Sequence, residues 1–485
     1  MKNIRFLAYT LIVCLGIGSC TSFVEDINDD PNRPVDAPSI KLVQGVILSN
    51  QFWQSAEAAR LGMIWLNQAS GSDRQYIALN DWNATPATNF DDTWNEAYVG
   101  TIAQSQILQE KAAAAVNPNL VGMAQVLEAN AFGTLTSLFG DIPFSEANNP
   151  EFTNPTYESQ TTVYAGVQAI LDEAIANLSA NDVLGLPSED IVYDGDTSKW
   201  IALAYTLKAR YYLHVGDYAS AISAAQNGIM DADGDYKSRY GTVFGASFNP
   251  YYDFLVYNRP GYMSAIDSYG AQLLDPATGL YRGNAKTDES ARFAFNYIKG
   301  ANWYNAGYEL NFYSQYDWGT ADGKFGTESD MPLATYGENL QIIAESQARL
   351  NGFAAGLAAY NDYRALLNTG YSIGLNNDGY ADWGDPFMYD AYTAADFATG
   401  GIENPDGVDQ LEALLSEIAE ERYVYFIGSF EAFVDFNRTD NAAGVTLKNF
   451  NGNAERFIYP QVEINGNSSV PSPLPSVLEP TPVNQ

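Results

Sequence analysis

Residues 200–222 read Trp200-Ile201-Ala202-Leu203-Ala204-Tyr205-Thr206-Leu207-Lys208-Ala209-Arg210-Tyr211-Tyr212-Leu213-His214-Val215-Gly216-Asp217-Tyr218-Ala219-Ser220-Ala221-Ile222. Trp200, Leu203, Ala204, Leu207 and Tyr211 fall at i, i+3, i+4, i+7 and i+11, one continuous apolar stripe of an α-helix. Tyr218, Ala221, Ile222, Ala225 and Ile229 repeat those offsets. Between the stripes, Val215-Gly216-Asp217 is a helix stop followed by an N-cap. The segment is therefore a pair of helices joined by a tight turn.

The spacing of Ala209, Tyr212, Gly216 and Ala221 resembles a tetratricopeptide unit, in which small residues let paired helices approach. Weaker echoes run from Met123 to Gly140 and from Leu340 to Gly352, and further helical stripes cover 163–178 and 411–418. More than 100 residues separate the echoes, so the expected fold is mainly α, helical hairpins forming a scaffold rather than a regular solenoid. Three long segments without sustained periodicity, roughly 70–98, 232–335 and 368–407, are rich in Gly, Asn, Asp and aromatics. Insertions of that length on a compact scaffold are usually functional.

Composition narrows the chemistry. The 485 residues carry 24 Lys+Arg against 59 Asp+Glu, a formal charge of −35. Nucleic-acid binding needs a basic patch, and adsorption to anionic lipid needs positive charge, so both are disfavoured. Hydrophobic residues make up 46% of the chain, enough for a large core. The 33 Tyr and 8 Trp outnumber all the Lys and Arg. With one His, His214, and two Cys, Cys14 and Cys20, the chain offers no Cys/His zinc cage and no disulfide framework within the folded body. His214 at the end of its helix is expected to serve the scaffold.

The first residues are an address. Lys2 and Arg5 precede an apolar run from Phe6 to Leu15, too short for a bilayer span of about 20 residues. Ile17-Gly18-Ser19-Cys20 resembles a bacterial lipobox, which predicts a signal peptide over 1–19 and lipidation of Cys20. Acyl chains on that Cys anchor by hydrocarbon burial, about 0.8 kcal/mol per CH₂. Residues 20–36 form an acidic tether, with Glu25, Asp26, Asp29 and Asp30 resembling the surface-export signal of Bacteroidota lipoproteins. The folded domain is expected over 37–465, followed by a Pro-rich tail over 466–485 that is either a surface strap or disordered.

Several segments carry a family resemblance. Leu138-Phe139-Gly140-Asp141-Ile142-Pro143-Phe144-Ser145-Glu146-Ala147 resembles the "GD(I/V)P(Y/F)SEA" signature of the SusD/RagB family of nutrient-binding outer-membrane lipoproteins. Pro155-Thr156-Tyr157-Glu158-Ser159-Gln160, the block from Asp190 through Lys199-Trp200 to Arg210, and the segment from Glu421-Arg422 through Glu431-Ala432-Phe433 to Arg438-Thr439 are similar to its other motifs. Asn437 and Phe433 depart from the family's usual Arg and Trp. The resemblance implies a SusD-like fold on tetratricopeptide-like hairpins, held at the cell surface of the outer membrane. It implies a lid on a SusC-like TonB-dependent transporter, capture of an oligosaccharide or in some members a peptide, and no catalysis. A helical-repeat adaptor that binds only outer-membrane proteins stays open as an alternative. A glycosidase with paired carboxylates is a third, though nothing in the sequence singles out a pair.

Sugar recognition sets aromatic faces against C–H faces and gives the hydroxyls to Arg, amides and carboxylates. Two clusters suit it. The first holds Arg74, Gln75, Tyr76, Asn80, Asp81, Trp82 and Asn83, with Trp94 and Tyr98 following. The second holds Trp303, Tyr304, Tyr308, Phe312, Tyr313, Tyr316, Asp317 and Trp318. The ligand residues expected from these are Arg74, Tyr76, Trp82, Asn83, Trp94, Trp303, Tyr304, Tyr316 and Trp318. Asp231, Asp233 and Asp235 resemble the opening of a Ca²⁺ loop, but Tyr236 stands where the loop needs Gly and Thr242 where it needs Glu. Asn376, Asn377, Asp378, Asp382 and Asp385 make a weaker case of the same kind.

Overall fold

In the computed structural model the 200–222 stretch folds as two helices. Asp196 caps the helix Thr197–His214 by accepting from Ser198 N at 2.8 Å, and the five stripe residues from Trp200 to Tyr211 are all buried. Gly216 turns the chain at φ 73°, a left-handed conformation that L side chains resist. Asp217 then caps Tyr218–Ala225 through Ser220 N at 3.1 Å. This second helix ends a turn before Ile229, short of its apolar stripe. Past Ala225 the chain tightens, Asn227 N donating to Ala224 O and Gly228 N to Ala225 O, and Gly228 packs where a Cβ would stand 2.8 Å from Asn339 Oδ1. Ile229 is buried all the same, its N–H donating to Thr206 Oγ1 at 2.8 Å.

The structure describes residues 37–299, 307–313, 323–373, 386–449 and 452–485. Its main helices are α1 (Ser39–Ser55), α2 (Glu57–Trp65), α3 (Ala103–Ala114), α4 (Pro118–Phe139), α5 (Gln160–Leu178), α6 (Thr197–His214), α7 (Tyr218–Ala225), α8 (Ser290–Asn296), α9 (Tyr336–Asn351), α10 (Phe353–Leu367), α11 (Gln410–Tyr425) and α12 (Glu431–Arg438). Neighbours in sequence pack on one another: α3 on α4, α4 on α5, α5 on α6, α6 on α7, α7 on α9, α9 on α10, and α11 on α9, α10 and α12. The fold is mainly α. Among the described residues, strands form only short two-stranded antiparallel ribbons. The larger core runs from α1 and α2 through α4, α5 and α6 to α12, and a second fills the space between α9, α10 and α11.

Small residues set the helix spacing. At Gly122 in α4 a Cβ would stand 2.7 Å from the Ala174 carbonyl of α5, and Gly356 in α10 lies equally close to Ala348 of α9. The segment around Gly352-Phe353-Ala354-Ala355-Gly356 is thus a packing device.

The motif residues are structural. Asp141 accepts from Gln160 N at 2.8 Å, and Gln160 Nε2 donates to Thr136 O at 2.8 Å, so Gly140-Asp141 locks the end of α4 to the start of α5. Ile142–Pro143 pairs with Tyr157–Glu158, and Glu146 accepts from Thr156 N at 2.7 Å. Asp190 accepts from Trp200 Nε1 at 2.8 Å and from Val192 N at 3.0 Å. Arg210 donates to both Glu338 oxygens at 2.6 Å and stands 3.3 Å from Glu431. Arg422 holds Asp435 at 2.7 Å, and Arg438 holds Glu345 at 2.6 Å. These pairs pin α6, α9, α11 and α12 together. His214 belongs to the same network, with Nε2 3.3 Å from Glu431 and Nδ1 3.2 Å from Ser137 Oγ. Burial would raise the Glu431 carboxyl, but Arg210 and then His214 hold it down to about 2.

The Pro-rich tail is a strap laid over these motifs. Asn467 Nδ2 donates to Pro155 O at 2.9 Å, Ser468 N to Asn154 Oδ1 at 2.7 Å, and Val483 N to Gln160 Oε1 at 3.0 Å.

Candidate functional site

The segment Ser70–Gly71 pairs antiparallel with Met263–Ser264, which carries the first aromatic cluster onto the 232–335 insertion. The next residue, Ala265, donates its N–H to Tyr308 O at 3.0 Å, so the second cluster begins on the other side of the same segment. Two stretches more than 200 residues apart are brought together by one short piece of chain. Asn80 closes the 71–80 loop, its side chain bonding Gly71 N at 2.9 Å and Gly71 O at 2.7 Å.

Above this junction lies a cavity of about 480 Å³ lined by Ser72, Asp73, Arg74, Asn258, Arg259, Pro260, Gly261 and Tyr262. Arg74, held at φ 47°, donates through Nη1 to Tyr262 OH at 3.0 Å, and its guanidinium stands 5.5 Å from the Tyr262 ring centre. Arg259 approaches the same ring at 5.8 Å. Tyr76 is half-buried behind them, 5.0 Å from Phe254 and 5.8 Å from Tyr262. A second cavity of about 340 Å³ shares Asn258 and adds Phe52, Arg60, Phe248 and Phe254. Arg60 lies 4.8 Å over the Phe254 ring, and its Nε has no hydrogen-bond partner among the described residues. Phe244, 66% exposed, packs edge-on against Tyr257 at 4.9 Å, and Tyr257 stacks on Phe248 at 5.8 Å. The two cavities meet at Asn258 in one open groove that combines the guanidiniums of Arg74, Arg259 and Arg60 with the exposed ring of Phe52 and the half-buried ring of Phe254, while Phe244 and Tyr257 stand outside both linings.

The expected residues divide. Arg74 and Tyr76 stand at the groove. Asn83 is exposed, its N–H donating to Asp81 Oδ1 at 3.0 Å. Trp82 is 1% exposed and lines no cavity among those described, which corrects its reading as a platform. Trp94, 4% exposed, stands apart from the groove and lines with Tyr98 a separate cavity of about 240 Å³. Trp94 packs edge-on against Phe139 at 5.1 Å, behind the Gly140-Asp141 corner, beside Tyr98, whose OH donates to Pro143 O at 2.7 Å. Trp82 lies in the larger core. Trp303, Tyr304, Tyr316 and Trp318 lie outside the described residues, as do Cys20, the signal segment and residues 376–385.

Phe244, Tyr257, Arg259 and Tyr262 were not singled out. The run Tyr251-Tyr252-Asp253-Phe254-Leu255-Val256-Tyr257 was their signal, and only the partner segment shows which rings face outward.

The three carboxylates of the Ca²⁺ reading do not converge. Asp231 accepts from Gly234 N at 3.0 Å, Asp233 pairs with Lys199, and Asp235 is turned inward to Tyr336 N at 2.8 Å and Tyr371 OH at 2.7 Å. Among the described residues, no group of three or more His, Cys, Asp or Glu side chains could hold a metal ion.

The family described as "Starch-binding associating with outer membrane" matches residues 31–460. The chain belongs to this SusD-like family. Solved structures share the fold at low identity. A SusD/RagB family protein from Bacteroides thetaiotaomicron is 20% identical, with a TM-score of 0.60 over 90% of this chain and 95% of its own. A SusD-like protein from Bacteroidetes is 17% identical, with a TM-score of 0.64 over 89% of this chain and 95% of its own. A chitin-binding SusD homolog from Flavobacterium johnsoniae is 17% identical, with a TM-score of 0.60 over 89% of this chain and 92% of its own. No curated protein matches the chain by sequence. Among the described residues, no helix of this SusD-like chain is long and apolar enough to cross a membrane.

Proposed function

We propose that this SusD-like protein captures an oligosaccharide at the cell surface and passes it to a TonB-dependent outer-membrane transporter, without chemistry of its own. The groove between residues 72–76 and 244–262 carries this reading. The exposed ring of Phe52 and the half-buried ring of Phe254 suit the C–H faces of sugar rings, and Arg74, Arg259 and Asn258 suit their hydroxyls. Family membership supports glycan as the cargo and the outer membrane as the place. Lipidation of Cys20 supplies the anchor in this scheme, and the acidic tether of residues 20–36 the reach from it.

The test is a glycan and peptide array probed with residues 21–485, with and without Ca²⁺. Binding to one sugar class, lost in Arg74→Ala, supports capture at the groove. Peptide binding with silence on glycans moves the cargo to peptides. Silence on both, with retained binding to an outer-membrane transporter, rejects capture and favours an adaptor.

A further inference from the structure

Another cavity, of about 120 Å³, shares no lining residue with the groove. About 10–15 Å³ is enough to hold one water, so this cavity is roomy enough for a small polyatomic ligand. It lies between the ribbon formed by Tyr236–Ser238 and Met331–Ala334, helix α8 and the end of α11, and its walls include Asp235, Lys237, Arg292, Asn296, Lys324 and Asp330.

Its acids are already engaged. Asp235 accepts from Tyr336 and Tyr371 and stands 3.7 Å from Lys237, while Asp330 is flanked by Lys237 and Arg239. Its innermost donors are not. Arg292 is 1% exposed; Nη1 stands 3.0 Å from Glu421 and Nε 3.3 Å from Glu289, yet Nη2 has no acceptor. Lys324 is 8% exposed, and no described residue accepts a hydrogen bond from its ammonium or pairs with it. Asn296 gives Nδ2 to Arg292 O at 2.8 Å.

An unused N–H group of Arg292 and the unpaired ammonium of Lys324 therefore share one low-dielectric cavity; Glu289 and Glu421 already compensate the Arg292 charge, and it is the buried Lys324 charge that is costly unless a negative group comes to it. We propose that this cavity is a binding site for a small anion, a carboxylate or sulfate group held by Arg292 Nη2 and Lys324 Nζ. Burial, and then Arg292, press the Lys324 amine down to about 7, a shift that a bound anion would reverse. The group has two sources of the same chemistry, a free anion or the acid group of a sugar. The inference does not depend on the groove.

Calorimetric titration of residues 21–485 with sulfate, acetate, D-glucuronate and glucose, at pH 6 and pH 8, tests it. Saturable binding of at least one anion and none of glucose is expected. Affinity should fall about tenfold or more in Lys324→Met, the loss expected when one charged hydrogen bond is removed. At pH 8 binding should take up a proton, read from buffers of unlike ionisation enthalpy, and the variant should abolish that uptake. Asp235, Asp330 and Lys237 also face the cavity, so loss of the uptake in the variant assigns it to Lys324. Sulfate or acetate binding with no gain for glucuronate identifies a free anion, and tighter glucuronate binding identifies an acidic sugar. Lys324→Met keeps the aliphatic stem and removes a buried charge, so its melting temperature in anion-free buffer should not fall, and neutral glycan binding at the groove should not change. Absence of saturable anion binding, or equal affinity in the variant, would overturn the proposal.

Discussion

At the scale of single residues, Trp82 and Tyr262 show what a sequence can and cannot say. Both are aromatics among Asn, Asp and Arg, and composition alone makes either one a sugar platform. Trp82 is enclosed in the core, whereas Tyr262 lines the groove between Arg74 and Arg259. Tyr262 is itself only 7% exposed, and what sets it apart from Trp82 is the pair of guanidiniums brought to its ring from Arg74 and Arg259, a pairing with no local signature in the case of Arg74. Arg74→Ala and Arg259→Ala should each weaken glycan binding about tenfold, the worth of one charged contact, with the urea midpoint unchanged, since both side chains are exposed. Trp82→Ala should instead destabilise the fold by about 3–5 kcal/mol, as for other buried aromatics cut to Ala. Equal loss of binding in all three variants, with no change in stability, would put Trp82 back among the ligand residues.

At the scale of elements, the helices were the legible part because their signal is local. The 3.6-residue period in 200–215 and the Gly216-Asp217 punctuation are enough to place α6 and the start of α7. The end of α7 was not legible, since the turn after it packs Gly228 against Thr206 and Asn339, more than 100 residues apart in sequence. The partners of Arg210 were equally hidden. Its sequence context marks a helix position, but only the fold brings Glu338 and Glu431 to it. Glu338→Ala would leave Arg210 charged and half-paired in the core, and should cost about 3–5 kcal/mol in chemical denaturation. Gly122→Ala should cost about 1–3 kcal/mol, because α4 and α5 must part to admit a methyl group beside the Ala174 carbonyl. A neutral Gly122→Ala would mean that the two helices separate freely at that point.

At the scale of the whole molecule, the charge of −35 was plain from composition, but not which acids matter, since 59 carboxylates look alike in sequence. The structure separates two kinds. Glu421 and Glu431 are both held down to about 2; burial opposes this, and Arg292 with Arg282 overcomes it for Glu421, Arg210 with His214 for Glu431. A carboxylate depressed in the fold stabilises above its unfolded value, and that contribution is lost as pH falls from about 4.5 towards 2. Glu417 is the opposite case. Burial, and then the Glu403 carboxylate, push it up to about 8, and both Arg282 and Tyr360 meet its Oε1 alone. Burial likewise raises Asp235 to about 6. These two bind protons in the fold that the unfolded chain has released, so stability should fall as pH rises from about 4.5 to 7. Above about 7 the buried Lys324 loses its proton, which favours the fold and opposes the decline. Stability should therefore peak near pH 4.5, well below neutrality. Urea midpoints at pH 3, 4.5, 6 and 7 would trace this, with a drop of about 1–3 kcal/mol between 4.5 and 7. General repulsion among the acids would give a decline of the same sign, so Glu417→Gln is the decisive comparison: it should flatten the limb above pH 4.5 while leaving the acid limb intact. An unchanged slope in that variant would mean that Glu417 is ionised in the fold and that its two partners neutralise it.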